Sequence, residues 1–257
     1  MEHVAHRPIR IGRQTYHAGE HFSIQEYFGR QLLRDGKAYE AVLPPVQVNA
    51  GLVSCIMPTK DRAAWIPRTL NCWQKQTYQP LQLVVIDNGA RPIKDILPDD
   101  RRIIYARTGQ GMRIGMLRNL ACSVATGEFI AHWDDDDWYS PERIERQVKA
   151  IGDAQMCALR TCLFDEPGTV RRYESPPNHA IGASFLYRRD WWMKNRFAGD
   201  VHVGEDAMFF GKIAKAAVLL DGDDLLVASI HEKNTSPRTA KTLWAKTGTL
   251  PEGYTWV

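Results

Sequence analysis

The amino-acid sequence predicts an α/β fold with a mainly parallel central sheet, flanking helices, and a small strand-helix appendage at the N-terminus. From residue 51 onward, short apolar runs typical of strands alternate with longer segments whose apolar residues have helical spacing. The strand runs are continuously apolar, as expected for parallel strands covered on both faces. A chain of 257 residues is long enough for one large core and a small appendage.

The composition is that of a globular protein and argues against several other classes. The net charge of +3, without any lysine/arginine run, gives no indication of nucleic-acid binding. Five cysteines form no Cys-x-x-Cys pair and lie mostly in apolar runs, so we interpret them as buried thiols in a reducing compartment. Without a signal-peptide pattern or a membrane-length apolar stretch, we expect a cytoplasmic protein.

Residues 1–48 form the predicted appendage, whose role the sequence does not indicate. Residues 9–16 are predicted to form a strand and residues 23–34 a short helix with a capping box at its start. Pro44-Pro45 separates this unit from the main domain, predicted over residues 49–257. Because the appendage is too small for a strong core of its own, we expect it to pack on the main domain or on another chain, which would allow a homo-oligomer.

In the main domain, predicted strands and helices alternate at first and then become more mixed. Pro58 is expected to end the first strand, Pro141 to begin the third helix, and Gly204 to begin the fourth. The predicted strands are 52–57, 83–86, 103–105, 128–133, 156–164, 170–173, 183–187 and 225–230. The predicted helices are 63–75, 112–125, 141–151 and 204–217.

Three of the predicted strands end in polar, acidic segments. These segments are Pro58-Thr59-Lys60-Asp61, Asp87-Asn88-Gly89 and the run from Asp134 to Asp137. Ligands of open α/β sheets bind beyond the carboxyl ends of the strands, so the three segments are expected to converge on one crevice. Four consecutive carboxylates raise one another's pKa unless a cation lies among them, and an all-oxygen cluster favours Mg²⁺, Mn²⁺ or Ca²⁺. A solvated acidic turn is the alternative interpretation.

Within the aspartate run, the direction of each side chain depends on the backbone. On an extended segment Asp134 and Asp136 would share one face and Asp135 would point away, while Asp137 could cap the following turn. An EF-hand loop does not fit, because Trp138 occupies the next alternate ligand position.

Several motifs occur in a characteristic order. In one-letter code they are VSCIMPTKDR, QLVVIDNG, RNLACSVATGEFI followed by DDDDWYSP, GEDAMFF, and HEKNTS. In this order they resemble a family 2 glycosyltransferase of the GT-A fold, the inverting class that uses nucleotide sugars. The resemblance implies a nucleotide-binding half at about 51–140, an acceptor-binding half at about 141–235 and a C-terminal tail, 236–257. It also implies Mn²⁺ or Mg²⁺ as cofactor and a nucleotide-diphosphate sugar, expected to be a UDP-sugar, as donor.

The resemblance implies that Asp136 is the main metal ligand and that His231 is a second ligand. Asp134 would be directed toward the ribose and the metal. A metal held by carboxylates would neutralise the charge that develops on the leaving phosphate. An imidazole ligand would favour Mn²⁺ over Ca²⁺. The alternative for His231 is an ordinary loop histidine near the surface.

The resemblance also implies a nucleotide-binding set. Asp87 would accept a hydrogen bond from the base, which Thr59 and Asp61 would flank, and Arg113 would meet the nucleotide or the diphosphate. The alternatives are a turn-forming Asp-Asn-Gly sequence for Asp87 and a solvated helix-start arginine for Arg113. The complete implied set is Pro58, Thr59, Asp61, Asp87, Arg113, Asp134 and Asp135.

For the acceptor, the resemblance implies Asp206 as the general base and Glu205 as the residue that holds the acceptor hydroxyls. Because a helix N-terminus favours carboxylates, an ordinary N-terminal cap is the alternative. Asn119 is expected to support the crevice, and Trp191 and Trp192 are expected to belong to the core.

The expected reaction is transfer of a sugar to an acceptor hydroxyl by one in-line displacement. A nucleotidyltransferase is a second hypothesis, although the segment after the first strand lacks the glycines of a phosphate-binding loop. A non-catalytic nucleotide- or sugar-binding module is a third. The sequence does not specify the acceptor, which could be a saccharide, a lipid-linked group, a protein or a modified nucleobase.

Overall fold

The computed structural model describes four short N-terminal strands and residues 48–166, 169–201, 203–234 and 246–254. The N-terminal strands are Glu2–Val4 (β1), Ile9–Ile11 (β2), Gln14–Tyr16 (β3) and His21–Ser23 (β4). β1 pairs with β4 and β2 pairs with β3, both antiparallel. The strand predicted over 9–16 is therefore two short paired strands. The helix predicted over 23–34 lies outside the described residues, except for Ser23, which ends β4.

The main body contains strands and helices close to the predicted ones, together with several short elements that the sequence pattern did not indicate. The strands are Asn49–Thr59 (β5), Leu81–Asp87 (β6), Ile103–Arg107 (β7), Gly127–His132 (β8), Trp138–Tyr139 (β9), Met156–Leu159 (β10), Thr161–Glu166 (β11), Thr169–Glu174 (β12), Leu186–Arg188 (β13), Val218–Leu220 (β14), Leu226–Ser229 (β15) and Lys246–Thr247 (β16). The α-helices are Ile66–Gln74 (α1), Ile114–Val124 (α2), Arg143–Ile151 (α3), Arg189–Lys194 (α4) and Glu205–Gly211 (α5). Two 3₁₀ turns span Lys94–Ile96 and Gly182–Ser184.

The larger sheet confirms the predicted mainly parallel architecture. Within the described ranges it has seven strands in the order β7-β6-β5-β8-β13-β10-β14, and only β13 runs antiparallel to its neighbours. Helix α1 connects β5 to β6 and helix α2 connects β7 to β8, as crossovers between parallel strands require. The strand-helix alternation of the first half therefore sets the order of the sheet.

Both faces of this sheet are covered, which explains the continuously apolar strands. Successive residues of β5 enter different core clusters: Cys55 and Met57 pack on one face, whereas Ile56 packs on the other. All five cysteines are buried, as the sequence pattern predicted. None of the helices in the described ranges is long and apolar enough to cross a membrane.

The smaller sheet brings together two segments that are distant in sequence. Among the described strands its order is β16-β12-β11-β15-β9. The two-residue strand β9, which follows the aspartate run, pairs with β15, which precedes His231. The sequence pattern did not indicate β9, because two residues are too few to show a period. This short pairing places the aspartates beside the loop after β15.

Some predicted boundaries were wrong. Pro58 does not end β5, which continues to Thr59. The carbonyl of Ile56 accepts a hydrogen bond from Trp133, and that of Thr59 accepts one from Asn88. The backbone N–H and C=O groups of successive strand residues point alternately to the two neighbouring strands, so Pro58 faces β8 as Ile56 does. The pairing of β5 with β8 ends at Ile56. The N–H that proline lacks is therefore not needed for the hydrogen bonds of the sheet.

Three further predicted elements are shorter or divided. The strand predicted over 156–164 is two strands in different sheets, with a bend at Arg160 between them. The helix predicted over 204–217 ends at Gly211, a poor helix former. The strand predicted over 183–187 begins as the 3₁₀ turn Gly182–Ser184, and only Leu186–Arg188 is extended.

Candidate active site

A cleft of about 930 Å³ lies at the carboxyl ends of β5, β6 and β8, where the three polar strand ends meet. Its described walls also include residues 111–114, 117–118, 164, 173, 175, 179–183, 203–207, 228–230 and 233–234. The candidate residues that line it are Pro58, Thr59, Arg113, Asp134, Asp135, Asp136, Glu205 and Asp206. The predicted convergence of the strand ends is therefore present in the structure.

The aspartate run is not extended, so the alternation expected from the sequence was wrong. Asp135 and Asp136 form a turn between β8 and β9. As a result, Asp135 and Asp136 share one partner, the guanidinium of Arg62, at Nη1–Oδ distances of 2.7 and 2.8 Å. Asp134 has a different partner, Arg118, whose Nη2 lies 3.5 Å from Oδ1. The turn therefore places Asp135 and Asp136 beside one arginine and Asp134 beside another, which offsets the repulsion among the carboxylates.

Asp135 is held from two sides. Its Oδ2 accepts a 2.6 Å hydrogen bond from the Thr59 hydroxyl, and its Oδ1 meets Arg62. Burial, reinforced by the neighbouring charge of Asp136, raises the pKa of Asp135 to about 7, although Arg62 opposes the shift. Asp135 therefore links the end of β5 to the turn after β8.

Asp136 lies at the centre of the cluster. Its Oδ2 forms an ion pair with Arg62 at 2.8 Å, faces His231 Nε2 at 3.0 Å and lies 3.4 Å from Asn234 Nδ2. Burial would raise the pKa of this carboxyl, but the hydrogen bond from His231 and the charge of Arg62 outweigh it, and the pKa is lowered. Asp136 therefore stays ionised more readily than its neighbours.

Asp137 does not cap the following turn. Its Oδ1 accepts a 3.0 Å hydrogen bond from the backbone N–H of Ser229 at the end of β15. Burial, together with the charges of Asp136 and Asp134, raises the pKa of Asp137 well above its ordinary value. Asp137 therefore joins the aspartate turn to the smaller sheet.

A buried ion pair connects the start of α5 to the aspartates. Arg118 on α2 donates to Glu205 Oε1 and also lies beside Asp134. Burial raises the pKa of Glu205, and Arg118 opposes this shift. At least one oxygen of Glu205 is thus engaged by the chain itself, and its role in holding the acceptor stays a prediction.

His231 is fixed by three contacts in the loop after β15. Its ring stacks on Trp65, with 4.4 Å between centroids, and its Nε2 faces Asp136. Its Nδ1 accepts a 3.1 Å hydrogen bond from the Lys233 N–H, which leaves Nε2 to donate to Asp136 in the neutral ring. His231 is therefore directed at the acidic cluster, and its role as a metal ligand stays a prediction.

The chemistry of these donors fits a divalent metal, but their present arrangement does not form a coordination sphere. Carboxylates at Asp134 and Asp136 with an imidazole at His231 are suitable ligands for Mn²⁺ or Mg²⁺. Across the described residues, however, no three His, Cys, Asp or Glu side chains converge closely enough to hold a metal. The positive charge among the carboxylates is supplied by Arg62.

Asp206 stands at the first turn of α5, partly exposed in the cleft. Its Oδ1 accepts a 2.8 Å hydrogen bond from the Ala207 N–H. The carboxylate lies against Gly182, so closely that a Cβ there would be 2.0 Å from Oδ2. The geometry leaves this carboxylate accessible to a substrate hydroxyl.

Among the predicted site residues, Asp61, Asp87 and His231 do not line the cleft. Asp87 is fully buried and accepts from the Gly89 and Ile93 N–H groups and from the Tyr105 hydroxyl. Asp61 Oδ1 accepts a 2.7 Å hydrogen bond from the Ala90 N–H. Both carboxylates fasten the loop after β6, and their contact with a base stays a prediction.

Trp191 and Trp192 belong to the core, as expected, whereas the support of the crevice by Asn119 stays a prediction. Asn119 donates to the Phe197 carbonyl and accepts from the Phe197 N–H and the indole of Trp192, so it supports a wall of the core. Trp192 is buried and Trp191 is partly buried. Arg113, directly before α2, lines the cleft where an anion could reach it.

Sequence reasoning assigned no role to Arg62, Arg118 or Gly182. Arg62 could have been noticed, because it directly follows the polar end of the first strand. Arg118 lies in a predicted helix, where nothing in the pattern indicates its partner. Gly182 carries no local signal at all, since its importance comes from the approach of Asp206.

A family model described as "Glycosyl transferase family 2" matches residues 54–211. An uncharacterized glycosyltransferase of Haemophilus influenzae is 28% identical over 108 residues, which cover 39% of this chain and 42% of that protein. The uncharacterized glycosyltransferase MJ1057 of Methanocaldococcus jannaschii is 26% identical over 143 residues, or 52% and 49% of the two chains. The match thus spans about half the length of these curated relatives.

Solved structures show the same fold. S. aureus TarS 1-349 in complex with UDP-GlcNAc has a TM-score of 0.62 at 18% identity, over 71% of this chain and 60% of that one. The mannosyltransferase PcManGT from Pyrobaculum calidifontis in complex with GDP-Man and Mn²⁺ has a TM-score of 0.55 at 16% identity, over 71% and 58%. These likenesses confirm the GT-A fold. Because the family model covers more than half of its residues, this chain belongs to glycosyl transferase family 2.

Proposed function

We propose that this protein transfers a sugar from a nucleotide-diphosphate sugar, specifically a UDP-sugar, to an acceptor hydroxyl with inversion at the anomeric carbon. One observation carries the proposal: a single cleft contains both the carboxylate cluster after β8 and the accessible Asp206 carboxylate at the start of α5. Burial is the main cause that raises the pKa of Asp134, and the nearby charge of Asp206 adds to this shift. The donor sugar and the acceptor hydroxyl can therefore meet in the space between the carboxylate cluster and Asp206.

The charges of the cleft support an anionic donor. Its described lining includes cations on several separate segments, and a diphosphate would be attracted to them. They are Lys60, Arg62, Arg113, Arg118 and Lys233. The same lining holds six carboxylates, and Arg62 and Arg118 are paired with some of them. Among the described ion pairs, Lys60, Arg113 and Lys233 are the lining cations left for a diphosphate.

Each side chain has a defined part in the proposed reaction. Asp206 accepts the proton of the acceptor hydroxyl as that oxygen attacks the anomeric carbon. Arg113 binds the diphosphate, and Pro58 and Thr59 form the donor wall with Asp135. Asp136, Asp134 and His231 would hold Mn²⁺ or Mg²⁺, which would neutralise charge on the leaving nucleoside diphosphate. We propose that the base lies beside the loops that contain Asp61 and Asp87.

The test combines ligand binding with turnover. Nucleoside diphosphates and their sugars, with Mn²⁺ or Mg²⁺, are screened by thermal shift, since a ligand of the folded state raises Tm. We expect UDP with Mn²⁺ to give a shift that the Asp206→Asn variant retains, while its sugar transfer falls by about 10²–10⁴-fold. No shift with any nucleotide and metal would contradict the donor assignment, and normal transfer by the variant would contradict the base assignment.

Product analysis separates the alternatives. A glycosyltransferase releases a nucleoside diphosphate, whereas a nucleotidyltransferase releases pyrophosphate. A non-catalytic module would show the thermal shift without either product, and its ligand affinity would be unaffected at Asp206.

A further inference from the structure

We infer that Arg62 is a resident counter-ion that competes with the divalent metal for the aspartate cluster, so that metal uptake requires Arg62 to move. The inference rests on the metal site of the proposed function, and it concerns a residue to which neither the sequence pattern nor the family match gave a role. It predicts that the metal-free cluster is already neutralised and that free metal therefore binds it weakly.

The contacts of Arg62 show that it occupies the position of a cation. One nitrogen, Nη1, lies 2.7 Å from Asp135 Oδ1 and 2.8 Å from Asp136 Oδ2, so a single N–H₂ group bridges two adjacent carboxylates. The Arg62 side chain is only 13% exposed and both carboxylates are less exposed still, so solvent screens these pairs weakly. Arg62 is thus built into the cluster.

Competition follows from the oxygen that Arg62 uses. Asp136 Oδ2 is the same atom that faces His231 Nε2. A metal bound by Asp136 and His231 would share that region with a guanidinium, and two cations at such a separation repel strongly in a weakly screened site. Arg62 must therefore leave Asp136 for the metal to bind well.

The surroundings of Arg62 indicate where it can go. Its other terminal nitrogen, Nη2, donates to the Lys233 carbonyl, which lies in the same loop as His231. Arg62 also lines the cleft in which a diphosphate is proposed to bind. A guanidinium matches phosphate oxygens in fork geometry, so a bound donor would draw Arg62 away from the carboxylates. Metal and nucleotide should then bind cooperatively, and Arg62 contributes to that coupling.

The test measures Mn²⁺ binding by calorimetry and by Mn²⁺ electron paramagnetic resonance, without nucleotide and with UDP. We expect Arg62→Met to bind Mn²⁺ alone at least about tenfold more tightly than the unmodified protein, because the competing charge is gone. We also expect UDP to improve Mn²⁺ affinity by a smaller factor in Arg62→Met than in the unmodified protein. Arg62→Lys, which keeps the charge, should stay within about threefold of the unmodified protein.

Lys60→Met is the matched control for Mn²⁺ binding without nucleotide. Lys60 lines the same cleft, is exposed and has no contact with the carboxylates among the described hydrogen bonds and ion pairs, so its loss removes a charge without removing the bridge. Its Mn²⁺ affinity should change by less than about threefold. An equal tightening in Lys60→Met and Arg62→Met would show a general charge effect and overturn the inference.

Two other outcomes are decisive. If UDP and Mn²⁺ bind the unmodified protein but Arg62→Met binds Mn²⁺ no more tightly, the competition is refuted while the proposed metal site stands. If none of these proteins binds Mn²⁺, with or without UDP, the metal site and the inference fail together. Circular dichroism and thermal melting confirm that each variant is folded before its affinity is compared.

Discussion

The contact between Gly182 and Asp206 gives a prediction whose size follows from the structure. A Cβ at residue 182 would lie 2.0 Å from Asp206 Oδ2, 2.9 Å from Cγ and 3.0 Å from Cβ. Moving Oδ2 from 2.0 Å to an ordinary contact at 3.4 Å is a shift of about 1.4 Å. The carboxylate will yield rather than the backbone, because Asp206 is partly exposed whereas the Gly182 carbonyl is held by His132 Nδ1 at 2.7 Å.

We therefore expect Gly182→Ala to lower kcat about 100-fold or more, since a misplacement of about 1 Å at a reacting group has effects of this order. The free energy of unfolding should change by less than about 1 kcal/mol, because the group that moves is a partly exposed side chain. Sugar transfer under saturating donor and acceptor measures kcat, and urea unfolding measures stability.

Gly211→Ala is the matched control for this prediction. Gly211 ends the helix that Asp206 begins, and a Cβ there meets nothing within 4 Å. This variant should keep both kcat and stability. The double variant Gly182→Ala with Asp206→Asn should be no slower than Asp206→Asn alone, because both substitutions impair the same group, the Asp206 base. A Gly182→Ala enzyme with kcat within about threefold of the unmodified enzyme would refute the reasoning.

The remaining predictions concern buried groups. Arg118→Met should lower the free energy of unfolding by about 3–5 kcal/mol, because Glu205 stays buried without its cation. Urea unfolding should show that the double variant Arg118→Met with Glu205→Gln regains part of this loss, and no recovery would contradict the prediction. Asn119→Ala removes three hydrogen bonds to buried groups and should cost about 2–4 kcal/mol in the same assay, so an unchanged midpoint would contradict this support role. Burial raises the pKa of Cys55 and Cys122 to about 12, so at pH 8 their thiolates are scarce and iodoacetamide should label none of the five cysteines until urea is added.

The predicted features that the structure reproduces depend on local patterns. Continuous apolar runs such as that of β5 predicted strands buried on both faces, and the strand-helix alternation predicted a mainly parallel sheet. Parallel strands bring their carboxyl ends to one edge, so the meeting of the three polar segments was also predictable. Errors occurred where the pattern was ambiguous, as at Pro58 and at the bend at Arg160.

The sequence by itself predicted that three polar strand ends would meet in one crevice, and residues of all three line the cleft. The roles of Glu205, Asp206 and His231 were implied by the family resemblance and stay predictions. Only the tertiary structure decided which groups touch. Arg62 and Asp135 are 73 residues apart, and Arg118 and Glu205 are 87 apart, so no local period can encode their pairing. Arg62 and Asp135 meet because they follow β5 and β8, which are neighbours in the larger sheet. Arg118 and Glu205 meet because helices α2 and α5 contact each other. Which charge neutralises which carboxylate is a property of that packing, because electrostatic interactions depend on distance and burial rather than on order along the chain.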